Sequence, residues 1–201
     1  MSLSEKTKKL KEIKEEIIEL EESPLYSYRK DNGYFPVIGE GNHDADLFLV
    51  GEAPGENEAK TGRPFCGRAG QILDEILEEV GILRKSTYIT NIVKDRPPEN
   101  RDPTYNEIAL YAPFLDRQIE IIEPKIIATL GRFSANYLLK KFSFGEKFSI
   151  SKINGKLFER DDLPFKIIPL FHPAATIYTR SRREDLVEDF KKVKKLLTNN
   201  K

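Results

Sequence analysis

Cysteine and methionine each occur once in these 201 residues, histidine twice and tryptophan not at all. A single cysteine excludes an intrachain disulfide and any four-cysteine metal site. Neither charge sign is in excess, with Lys plus Arg and Asp plus Glu both totalling 33. Net charge therefore does not point to a nucleic-acid partner, and any such contact must come from local clusters. No apolar run approaches membrane-spanning length, and the charged amino terminus has no signal-peptide core. The expectation is a cytoplasmic protein without a membrane partner. What remains is 39% hydrophobic and 33% charged, in a chain long enough for one domain, residues 1–201, with a sizeable core.

Apolar spacing divides the chain. In "SLSEKTKKLKEIKEEIIELEE", Leu10, Ile13, Ile17 and Leu20 share a helical face, and Ser2 with Glu5 reads as a capping box. This predicts an amphipathic helix within residues 1–22, packed on the domain. Four β-rich runs follow: "ADLFLVG" (45–51), "TYITNIV" (87–93), "KIIATLG" (125–131) and "FKIIPLF" (165–171). They are nearly continuous rather than alternating, as parallel strands buried on both faces are. Helical patterns separate them. Ile72, Ile76 and Val80 share a face, with Leu73 and Leu77 beside them and Gly81 as the stop signal. A second pattern uses Ile108, Tyr111, Leu115, Ile119 and Ile122, opened by Thr104 and Glu107 as a capping box, with Pro113 expected to bend or interrupt it. "RFSANYLLKKF" is a third helix, and the tail from Arg182 a fourth. Asn154-Gly155 predicts a hairpin before the last strand. Alternating strand and helix imply a three-layer α/β/α sandwich around a four-stranded parallel sheet.

Open parallel sheets bind ligands at the carboxyl ends of their strands. Here those ends carry the unusual residues: Gly51-Glu52-Ala53-Pro54-Gly55, Asn91, Gly131-Arg132 and His172-Pro173. Asn91 interrupts an apolar strand. It either makes a structural hydrogen bond or offers its amide donor and acceptor to a pyrimidine edge carrying O4 and N3–H. His172 is either a capped core histidine or a neutral donor to a developing oxyanion. With one rim histidine and no cysteine partner, no metal site is expected. Glu52 and Glu58 are an acid/base or water-positioning pair, unless Glu52 binds backbone amides and Glu58 is simply exposed. Phe65 stacks on a flat ligand or pins its loop. The glycines of "GRPFCGRAG" allow close backbone approach, and neither a Walker A loop nor a GxGxxG is present. Arg68, Lys94, Arg96, Arg101, Arg132, Arg180, Arg182 and Arg183 cluster after these rim elements, as phosphate-backbone contact requires.

Together "GEAPGENE", "GRPFCGRAGQIL", "NIVKDRPPENRDPT", "TLGR" and "HPAA" resemble the family 4 uracil-DNA glycosylases, from about residue 20 to the last helix. The resemblance implies removal of uracil from DNA by a monofunctional hydrolase, with uracil-containing DNA as partner, a monomeric state and a nucleoid-associated location. It implies Asn91 as the reader of the uracil edge, Phe65 as the stacking ring and His172 as the donor to uracil O2. Glu52 and Glu58 match the acidic positions, Glu58 crowding C5 or ordering water. Gly51, Ala53 and Gly55 fall in the same uracil-binding motif. The family carries a four-cysteine [4Fe–4S] cluster, and the ligand positions here are Leu20, Ser23, Asp95 and Tyr111. The expectation is no cofactor, the long apolar face of the first helix and Tyr111 filling the space. Two other readings stand beside this one: a glycosylase for hypoxanthine or xanthine, and a DNA-binding homologue without catalysis.

Overall fold

A computed structural model describes residues 1–177 and 179–199. Its sheet has five strands among the described residues: β1 (Glu40–Gly41), β2 (Leu47–Gly51), β3 (Thr87–Asn91), β4 (Ile126–Leu130) and β5 (Lys166–Leu170), in the order β1-β3-β2-β4-β5. The four apolar runs are the four parallel strands, in register from Leu47 beside Thr87 and Ile126 to Leu130 beside Leu170. The expected four-stranded parallel sheet is corrected to a five-stranded mixed one. β1 adds an antiparallel edge, Glu40 opposite Ile89 and Gly41 opposite Tyr88.

Two apolar clusters lie on opposite faces, because alternate strand residues point opposite ways. Phe48, Val50, Tyr88 and Ile127 join one; Leu47, Leu49, Ile89 and Ala128 join the other. The first face is covered by α1 (Leu3–Ile18), α5 (Tyr105–Ile122) and α6 (Arg132–Lys141), the second by α4 (Arg68–Glu79) and α8 (Arg180–Asn199). Three short helices, α2 (Tyr26–Asp31), α3 (Glu56–Thr61) and α7 (Ile150–Ile153), lie in the connections.

Local chemistry sets the helix ends. Both capping boxes form, Ser2 with Glu5 and Thr104 with Glu107. Past α4, Gly81 takes φ 69°, its N–H reaching the Glu78 carbonyl and that of Ile82 the Leu77 carbonyl. This is a Schellman stop that a residue with a Cβ would strain. Leu10, Ile13 and Ile17 of α1 are buried in the first cluster, each worth roughly 1.5–3 kcal/mol over an exposed position. α5 runs through Pro113 without interruption. The hairpin expected at Asn154-Gly155 is corrected as well. That dipeptide follows α7, and antiparallel pairing before β5 shrinks to one bridge, Phe158 with Ile167.

Candidate functional site

The parallel strands end on one rim, and a cleft of about 570 Å³ opens there. Glu52, Ala53 and Gly55 from beyond β2, Phe65, Asn91 at the end of β3 and His172 beyond β5 all line it. Glu52 and His172, 120 residues apart in the chain, meet because parallel strands place every carboxyl end on the same edge.

Asn91 is 2% exposed, and its Nδ2 has no hydrogen-bond partner among the described residues. A buried unpaired amide donor costs about 1–3 kcal/mol, a cost that a ligand with an acceptor removes. Gly51 makes this arrangement possible. A Cβ there would sit 2.3 Å from Asn91 Oδ1 and 2.7 Å from Phe65 Cζ. Gly51 thus lies beneath the cleft wall rather than on its surface.

Phe65 holds φ 48°, a left-handed conformation uncommon for a residue with a side chain. Its ring lies 5.8 Å from that of His172, tilted 33°, and forms the cleft wall with it. Two neighbours fix the loop. Glu58 Oε1 accepts the N–H of Cys66 at 3.1 Å and of Gly67, the N-cap of α4, at 2.8 Å. A Cβ at Gly70 would lie 1.8 Å from the Phe65 carbonyl oxygen, so only glycine fits.

The two carboxylates therefore have the opposite division from the one considered for a merely structural pair. Glu58 binds the backbone amides. Glu52 has no side-chain hydrogen bond among the described residues, and burial pushes its carboxyl up to about 7, with the Asp102 charge adding to the rise and Arg132 opposing it. His172 is the converse case. Burial lowers it to about 4, against the opposing Glu58 charge, so the ring is neutral at pH 7. Its Nδ1 accepts the Ala174 N–H at 3.2 Å, which leaves the proton on Nε2.

The basic positions separate into two groups. Arg68 and Arg101 are exposed and line the cleft, whereas Arg132, Arg180 and Arg182 are exposed without lining it. Arg132 pairs with Asp102 and lies over the Phe133 ring. Lys94 and Arg96 are corrections. Lys94 is 0% exposed, so it does not reach a phosphate. Arg96 is buried against Asn100 Oδ1 at 2.8 Å and the Tyr34 hydroxyl at 2.7 Å, with Glu56 at 3.4 Å. Sequence reasoning missed Asn100 as a cleft residue. Its φ of 55°, beside Glu99 at 53°, turns the "PPENRDP" loop onto the rim.

The four positions that the resemblance aligns with cluster ligands are all buried, the Ser23 N–H bonding to the Leu20 carbonyl. Tyr111 donates to Asp95 Oδ2 at 2.6 Å, so its oxygen accepts the Ser23 hydroxyl proton at 2.7 Å. Ser23 Oγ in turn accepts the Leu25 N–H, and Leu20 is buried in the same cluster. Arg29 Nη1 reaches both Asp95 oxygens at 3.2 and 3.3 Å. The guanidinium also caps the Ile17 and Ile18 carbonyls at the end of α1, a helix with no basic residue of its own in the last turn. Burial raises the Asp95 carboxyl, opposed by Tyr111 and Arg29. An iron–sulfur cluster needs thiolates, and these positions hold a leucine and three oxygen side chains already paired. Cys66 lies elsewhere, against Thr61 Oγ1. The donor set does not fit the cluster.

The sequence profile of the uracil DNA glycosylase superfamily matches residues 38–197, and the chain belongs to that family. Its relatives narrow the class. It is 47% identical over 191 residues to the type-4 uracil-DNA glycosylase of Sulfurisphaera tokodaii, covering 93% of this chain and 84% of that one. Identity to the type-4 enzyme of Saccharolobus solfataricus is 44% over 189 residues, covering 92% and 85%. For the Thermotoga maritima type-4 enzyme it is 46% over 163 residues, covering 80% and 82%. No helix among the described residues is long and apolar enough to cross a membrane.

Proposed function

We propose that this protein is a monofunctional uracil-DNA glycosylase that hydrolyses the bond between uracil and deoxyribose in DNA, acting as one domain and as a monomer on chromosomal DNA in base excision repair. Asn91 carries the reading: a buried carboxamide lining the cleft with its nitrogen unpaired. Uracil presents O4 and N3–H side by side, which one amide complements with Nδ2 and Oδ1. The nucleotide must leave the stack to reach such a recess. Exposed Arg68, Arg132, Arg180 and Arg182 hold the backbone by phosphate contact, and Phe65 lies against the flipped base.

The C1′–N1 bond breaks with its electron pair passing into the uracil ring, and charge gathers at O2. Neutral His172 donates its Nε2 proton as a hydrogen bond to that oxygen without transferring it. Water adds to C1′ of the oxocarbenium-like sugar and loses a proton to the Glu52 carboxylate. Glu58 serves by fixing the Phe65 loop. No lysine lines the cleft among the described residues, which supports hydrolysis by water rather than a Schiff base.

The finer reading is an enzyme without an iron–sulfur cluster, braced instead by Arg29, Asp95, Tyr111 and Ser23. Asp95→Ala leaves the Arg29 guanidinium buried without its counter-charge, and is expected to destabilise the fold by about 3–5 kcal/mol in urea titrations. Gly51→Ala pushes a methyl into Asn91 and Phe65. It is expected to lower the excision rate roughly 100-fold by misplacing the base, read against a circular-dichroism control for folding.

The test is release of base from matched oligonucleotides carrying uracil, hypoxanthine, xanthine or thymine. Release of uracil above the others is expected. Preference for hypoxanthine or xanthine would move the substrate assignment, and tight binding without release would favour a DNA-binding homologue.

A further inference from the structure

Lys94 is a fully buried lysine with no carboxylate among its hydrogen-bond partners. Its Nζ lies 2.7 Å from Thr90 Oγ1, 2.6 Å from the Asn91 carbonyl oxygen and 2.6 Å from Gln118 Oε1. The direction of each bond follows from its surroundings. Thr90 spends its hydroxyl proton on the Ile38 carbonyl at 2.6 Å, so it only accepts from Lys94. Gln118 Nε2 donates to the same carbonyl at 2.9 Å and to the Tyr88 hydroxyl at 3.2 Å, which orients Oε1 toward the lysine. The Asn91 carbonyl can only accept. Three acceptors around one nitrogen match the three donors of an ammonium and exceed the two of a neutral amine, while burial acts the other way and pulls the group well below the ordinary lysine range.

The chain around Asn91 is tied on its other side as well. The N–H of Ile92 reaches the Gly51 carbonyl at 3.1 Å, and that of Val93 reaches Glu52 at 3.0 Å. The Lys94 carbonyl accepts the Val37 N–H at 2.7 Å. The ends of β2 and β3 are thus locked in register, and the peptide plane after Asn91 is held at both of its polar atoms, its N–H by the Gly51 carbonyl and its carbonyl oxygen by Lys94. Lys94 holds that plane by its carbonyl. The Asn91 side chain has no comparable restraint, since its Nδ2 bonds to nothing among the described residues.

We propose that Lys94 is a positioning residue for base recognition: it fixes the backbone of Asn91 from beneath, so that the unrestrained carboxamide meets the base in one orientation. This rests on Asn91 reading the base, as set out above. It also replaces the phosphate contact that the sequence suggested for Lys94. A buried group adds nothing to the counterion release that phosphate contacts produce.

The experiment compares the parent with Lys94→Met, which keeps the apolar stem and removes the donors. Single-turnover excision from a uracil oligonucleotide is expected to slow roughly 100-fold. Affinity for uracil-free duplex, and its dependence on salt, are expected to match the parent. In an Asn91→Ala background, Lys94→Met is expected to cause no further loss, because the group it positions is gone. A loss that persists in that background, an unchanged rate, or a weaker affinity with a shallower salt slope would each overturn the proposal. If Lys94→Met does not fold, Thr90→Val and Gln118→Leu decide it. Each removes one acceptor and is expected to slow excision only where Asn91 is present, and a loss independent of Asn91, or none, would overturn it. Parent protein that releases no uracil would instead refute the reading of Asn91 itself.

Discussion

Asn91→Ala is expected to lower single-turnover excision of uracil roughly 10²–10³-fold, the effect of deleting a preorganised hydrogen-bonding group from a reacting centre. Binding to undamaged duplex should change little, because the exposed arginines are untouched. Stability distinguishes this effect from damage to the fold. The parent buries an amide nitrogen without a partner, and alanine removes that unpaired donor. Thermal melting of Asn91→Ala is therefore expected at or above the parent temperature. A melting point several degrees lower, with activity falling in proportion, would make Asn91 a structural residue.

Glu52→Gln is expected to cost roughly 10²–10⁴-fold in rate by removing the base that accepts the proton of water. The pH profile identifies the group. With the Glu52 carboxyl raised to about 7, the parent rate should climb through that pH and level off above it. His172, at about 4, adds no inflection in that range, and Glu52→Gln should be flat there. Stability runs the other way. Below the usual carboxyl range the folded and unfolded states both hold the proton, and the contribution of Glu52 is complete. It is lost as pH rises through about 7, because the folded state then carries a desolvated carboxylate that the unfolded chain hydrates. Glu52→Gln is accordingly expected to melt above the parent at pH 8 and to lose that advantage toward pH 4. Melting curves at the two pH values check the sign.

Both residues were visible in the sequence for the same reason. Asn91 and Glu52 are polar groups placed where an apolar strand runs out, and the parallel topology carries every such end to one edge. The four strands and both capping boxes were legible because continuous apolar runs and local cap chemistry depend on near neighbours alone. β1 was not legible. Two residues have no periodicity, and Gly41 pairs only because it lets the chain approach β3, a Cβ there falling 2.0 Å from the Thr87 carbonyl oxygen. Asn154-Gly155 misled for a tertiary reason. Asn154 spends its amide on Asp189 of α8 and its oxygen on the Phe171 N–H, so it joins distant elements rather than turning a hairpin.

Charge was the least legible property of the site. Lys94 and Arg96 follow the Asn91 strand as Arg68 and Arg132 flank their helices, and nothing local separates buried from exposed. The separation comes from Gln118 of α5 and from Tyr34, which supply oxygens from 24 and 62 residues away. The burial of Tyr111 was legible, since the apolar spacing of α5 places it in the core. Arg29 was not, because its role depends on the end of α1 and the loop of Asp95 meeting it at once.

The most direct measurement is single-turnover release of uracil from a uracil-containing oligonucleotide by protein stripped of metal, with Asn91→Ala beside it. Release by the parent, leaving an abasic site, together with a loss of roughly 10²–10³-fold in the variant, is the expected result. Equal release by both proteins, or none from folded parent that binds the DNA, would contradict a uracil site built on Asn91 and held without iron.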